Sequence, residues 1–131
     1  MRAMKLAAAL TLLTCLAACT PRTVRYRAGL FQIDVPTQMP IEAYQADGVS
    51  YWQVRGGPRG PVCAVVRVEA YREPCSRAAQ RGALGCANSG RQCNACVDDG
   101  SSRWLLQAWV GEEPRCLEAG RELLASLRLE R

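Results

Sequence analysis

The chain has 131 residues, a net charge of +5 and no histidine. Without histidine it lacks the commonest general base and metal ligand, and so the Ser-His-Asp and Cys-His nucleophile systems are excluded. Its basic residues are scattered among acids with no interleaved aromatic cluster, which leaves nucleic-acid binding without support.

The N-terminus divides into three zones. Arg2 and Lys5 supply positive charge, Leu6 to Ala18 is apolar apart from Thr11 and Thr14, and small residues precede Cys19. That is the pattern of a secretory signal. The apolar run, closed by Pro21 and Arg22, falls short of the roughly 20 residues that a membrane-spanning helix requires. Leu16-Ala17-Ala18-Cys19 resembles the lipobox of bacterial lipoproteins. The resemblance implies cleavage before Cys19, diacylation of its thiol and acylation of the new amine. Cys15 is the poorer site because Thr14 fits badly before a cut. Thr20 stands where inner-membrane retention favours Asp, so the resemblance implies an outer-membrane protein facing the periplasm or the cell surface. Its first expected partner is then the membrane, through the lipid anchor. Residues 1–18 read as the signal peptide, 19–28 as a lipidated tether and 29–131 as a single disulfide-rich domain. Arg22, Arg25 and Arg27 on the tether either meet anionic head groups or are simply solvated.

Beyond the tether, Leu30 to Val35 alternates, with Phe31, Ile33 and Val35 on one side, and predicts a half-buried strand ending at Pro36. Tyr44 to Val54 predicts a hairpin turning at Asp47-Gly48, and Gly56 to Pro61 a loop. Val62 to Tyr71 is the best central strand. Pro74 predicts the first turn of a helix that stops at Gly85. Residues 86–100, rich in cysteine and turn formers, read as a cross-linked loop with a turn at Asp99-Gly100. The strand Arg103 to Val110 follows, then a helix from Pro114. On that helix Cys116, Leu117, Gly120, Leu123, Leu124 and Leu127 share the face turned to the sheet. Leu127 to Leu129 reads as a short closing strand. The expected fold is α+β, a small antiparallel sheet packed by two helices and cross-linked by about three disulfides.

Gly29-Leu30-Phe31-Gln32-Ile33-Asp34-Val35-Pro36 is similar to the opening strand of PsbP/DcrB-like domains. Leu123 to Leu129 resembles their closing helix and strand. The resemblance implies a small α+β sandwich that binds rather than catalyses. No Gly-Trp follows Pro36, and the cysteine load departs from that pattern.

Six cysteines besides Cys15 and Cys19 remain: Cys63, Cys75, Cys86, Cys93, Cys96 and Cys116. An even count in a small exported domain points to a disulfide framework, with 15 connectivities open to three bridges. Cys93-Asn94-Ala95-Cys96 is the only motif with chemical reach. A redox pair needs an exposed thiol at a helix N-terminus, whereas this one has Asp98 and Asp99 nearby and no helix pattern after it. A tetrathiolate zinc site would call on paired knuckles, and only one is present. No cofactor or metal is expected. Among aromatics, Tyr51 and Trp52 have opposite strand parity, as do Trp104 and Trp109. One of each pair then packs inside and the other is a candidate for a binding face, with Tyr44 beside them. The function expected is that of a non-enzymatic envelope lipoprotein, a binding or structural module for an envelope protein partner. The alternative is a periplasmic thiol–disulfide protein using Cys93 and Cys96.

Overall fold

The computed structural model describes residues 23–75, 83–98 and 100–130. Among them the strands are β1 (Thr23–Arg27), β2 (Phe31–Pro36), β3 (Ile41–Ala46), β4 (Val49–Arg55), β5 (Val62–Ala70), β6 (Gly85–Ala87), β7 (Gln92–Asp98) and β8 (Arg103–Val110). A 3-10 turn (Pro114–Cys116), the helix α1 (Leu117–Ala125) and β9 (Arg128–Leu129) complete the order. Two antiparallel sheets result, β1-β2-β9 and β3-β4-β5-β8-β7-β6.

This corrects the α+β expectation of two helices on one small sheet. Of the described residues 53% are strand and 12% helical, with one α-helix among them. The expected helix from Pro74 falls largely on residues 76–82, outside the described residues, and Gly85 opens β6 instead of ending a helix. The expected cross-linked loop is a hairpin of β6 and β7, with Cys86 directly opposite Cys93. Its turn places Asn88, Ser89 and Gly90 at φ 54°, 56° and 81°, and composition of that kind imitates a loop. β7 turns only Cys93 and Ala95 fully inward on its buried face, too small a stripe to declare a strand.

Within the expected tether, Thr23–Arg27 pairs with β2 along its whole length. Tyr26 packs against the core, while Thr23, Arg25 and Arg27 stay exposed, as suits a border strand. The remaining strands follow the expected places. Asp47 and Gly48 both have positive φ, 54° and 78°, which is what a two-residue hairpin turn matching the strand twist demands.

The core lies between the inner face of the large sheet and a layer made of the small sheet and α1. Phe31, Ile33 and Val35 of β2 meet Val54, Ala64, Val66, Val68, Leu106 and Ala108, with Leu123, Leu124 and Leu127 closing one end. Glycine lets α1 approach closely. A Cβ on Gly120 would stand 2.6 Å from the Cys63 carbonyl oxygen and 2.6 Å from Val110. The pairing of β4 with β5 shifts between Val54 and Arg55, leaving Cys63 as the extra residue of a bulge. A bulge re-aims its side chain, and Cys63 bonds Cys116 just before α1. The Ser126 hydroxyl then ties the helix end to β2 by accepting from the Asp34 backbone N–H at 3.0 Å.

Candidate binding face

Alternation along the large sheet sends one set of side chains into the core and the other to the opposite, outer face. Strand registers align the outer set in rows. Tyr44 of β3 faces Tyr51 of β4, which faces Arg67 of β5, then Gln107 of β8 and Asn94 of β7. The next row runs Glu42, Gln53, Val65, Trp109 and Gln92. No helix or strand among the described residues packs over these rows. Tyr44 is 43% exposed and Trp109 36%.

The rows are held by their own contacts. Tyr44 and Tyr51 stack with centroids 5.0 Å apart and planes at 9°. The Arg67 guanidinium lies 6.0 Å from the Tyr51 ring centre. It also donates to Gln107 Oε1 at 2.8 Å and to both Glu69 oxygens, at 3.1 and 3.2 Å. Gln53 donates to the Tyr44 hydroxyl at 3.1 Å. Such partners restrain long side chains, so a ligand meeting this face orders little that is not ordered already. Arg67 and Arg55 are compensated in place by Glu69 and Glu42. At the Trp109 end the face opens into a groove of about 740 Å³ lined by Asn88, Ser89, Arg91, Gln92, Trp109 and Arg121.

Of the aromatic candidates, the structure brings Tyr51 and Trp109 to the outer face and sends the other two inward. Trp52 meets Phe31 edge to face inside the molecule. Trp104 packs against the core, its indole N–H donating to the Ser102 hydroxyl at 3.1 Å. Sequence reasoning missed Arg67, Gln53, Gln107 and Asn94. Their signal was present, since each has the outer parity of its strand, but they join one face only through registers between distant strands. Cys19 lies outside the described residues.

The six cysteines form three disulfides, Cys63–Cys116, Cys75–Cys96 and Cys86–Cys93. Cys93 and Cys96 are therefore bound to different partners, and both are buried. Three positions apart on a strand, their side chains leave β7 on opposite faces, which keeps the pair from closing on itself. Among the described residues no three Cys, Asp or Glu side chains gather as metal ligands, and no helix is long and apolar enough to cross a membrane. No protein-family model, no curated protein and no solved structure matches the chain.

Proposed function

We propose that this protein is a membrane-anchored envelope lipoprotein, cleaved before Cys19, whose domain is a non-enzymatic binding module. Its partner docks on the outer face of the large sheet. The observation that carries the reading is the ordered row Tyr44, Tyr51, Arg67, Gln107 and Asn94, with Trp109 beside it, over which no described helix or strand packs, the Cys75–Cys96 disulfide covering the same face only further along β7. Aromatic and arginine side chains that are already positioned are the usual carriers of interface energy. Compensated charge favours a partner read through stacking and amide hydrogen bonds over one captured by net charge. For the anchor, the lipobox is the support. Because β1 begins at Thr23, Cys19 is separated from the first strand by at most about 14 Å of extended chain. The domain is then held against the lipid surface, and its partner is a component found there.

Two measurements test this. Cells making the full chain are labelled with radioactive palmitate, and a Cys19→Ser variant should carry none and accumulate as precursor. Label that survives Cys19→Ser defeats the anchor. A photo-crosslinking residue at position 107 should then give a discrete adduct in intact cells that one at position 128 does not. Equal yields from the two positions defeat the docking face.

A further inference from the structure

β3 is one border of the six-stranded sheet, and of the devices that usually blunt a border it carries only one charged side chain, Glu42. Its sequence, IEAYQA, has no lysine and no proline, its pairing with β4 has no bulge, and every residue after Ile41 is exposed. The opposite border, β6, is only three residues long and is stapled to β7 by Cys86–Cys93.

The free backbone groups of β3 can be located. The Arg55 N–H donates to the Pro40 carbonyl at 3.0 Å, so Pro40–Arg55 is a hydrogen-bonded pair continuing the β3–β4 register. Hydrogen-bonded and non-hydrogen-bonded pairs alternate in an antiparallel ladder. Glu42, Tyr44 and Ala46 therefore direct their backbone groups to β4. Ala43 and Gln45 direct theirs outward, where no described residue meets them. The Tyr44 ring has one face on Tyr51 and the other turned beyond the border.

We propose that β3 pairs antiparallel with β3 of a second copy of this chain, with Tyr44 opposite the partner's Tyr44. In that register Ala43 and the partner's Gln45 exchange both backbone hydrogen bonds, and the two-fold axis repeats the exchange. Tyr44 becomes a non-hydrogen-bonded pair, the kind whose side chains approach most closely, and the two rings stack. Glu42 faces the partner's Ala46. Centring the pair on Glu42 would oppose two carboxylates, which is unfavourable. Centring it on Ala43 would set Tyr44 against the partner's Glu42. The Tyr44-centred register alone extends the outer row, giving Arg67, Tyr51 and Tyr44 continued by the same three residues of the second copy. The interface is self-complementary, as a two-fold dimer requires. It is small, so association is weak in dilute solution. The contact lies wholly within β3 and holds whether or not the proposed anchor and docking face do.

The test uses the full chain purified in detergent micelles. Sedimentation equilibrium of the wild type over rising concentration should show reversible monomer–dimer behaviour. Gln45→Pro removes one outward N–H per copy and should lower the association constant by about tenfold or more. Under mild oxidation Tyr44→Cys should form a cross-linked dimer, because Cα atoms about 4.5 Å apart suit a disulfide. Glu42→Cys, facing the partner's Ala46, should not. A wild type that stays monomeric at the highest concentration overturns the proposal. So do equal cross-linking of the two cysteine variants, an association constant unmoved by Gln45→Pro, and a strand of a different protein found on β3 of a monomeric chain.

Discussion

Phe31 meets Trp52 edge to face, with ring centres 4.9 Å apart and planes at 88°, and this contact joins the small sheet to the large one. Phe31 is fully buried. Because Trp52 and Trp109 lie on opposite faces of the large sheet, they should differ in cost. Trp52 is half-buried against the core, so Trp52→Ala is expected to destabilise the domain by about 2–3 kcal/mol, below the roughly 3–5 kcal/mol of a fully buried large aromatic. Trp109→Ser should cost under about 1 kcal/mol. Urea unfolding of the two variants checks this, and equal losses would contradict the assignment of faces.

Gly120 sits where the helix touches β5, and a methyl group there meets the Cys63 carbonyl at 2.6 Å. Backbone cannot swing aside as a flexible side chain can. Gly120→Ala should therefore lose about 1–3 kcal/mol despite the gain in helix propensity. Gly57 is the control, because a methyl group there would have nothing within 4 Å and its φ is not positive. Gly57→Ala should be neutral within about 0.5 kcal/mol.

The disulfides should differ in worth with the chain length each closes. Their sequence separations are 53, 21 and 7 for Cys63–Cys116, Cys75–Cys96 and Cys86–Cys93. On the chain-entropy model these correspond to about 4, 3 and 2 kcal/mol. Replacing each pair by alanine and comparing urea midpoints should return that order. An inverted order would show that local packing outweighs the constraint on the unfolded chain.

Accessibility gives a different order for reduction. Cys86 is exposed on the border strand β6, while Cys63 and Cys116 are 2% and 1% exposed. Graded reductant followed by alkylation and peptide mapping should label Cys86 and Cys93 first and Cys63 and Cys116 last. Unreduced protein should leave all six unlabelled. Early joint labelling of Cys93 and Cys96 would revive a redox role for that motif.

Several elements were legible because their signals are local. β2 alternates cleanly, Asp47-Gly48 states its own turn, β5 is rich in valine, and α1 repeats its apolar residues at helical spacing after Pro114. β1 was hidden by its place at a border, where three of five residues are polar and only pairing with β2 makes a strand of them. β6 and β7 were hidden by cysteine, asparagine and glycine, residues that loops share. The candidate face was half legible. Parity separated Tyr51 from Trp52 and Trp104 from Trp109, but it carried no information about which of each pair would lie outside.

By itself, then, the sequence determined the features that neighbouring residues settle among themselves: turns, alternation, the helix and the presence of a six-cysteine framework. The tertiary structure alone decided the features that depend on which strands lie side by side. Cys75 bonds Cys96 across 21 positions, and Tyr44, Arg67 and Asn94 share one row. The physical reason is that a strand's period of two assigns each side chain to one of two faces, whereas register between distant strands is chosen by the packing of the whole core.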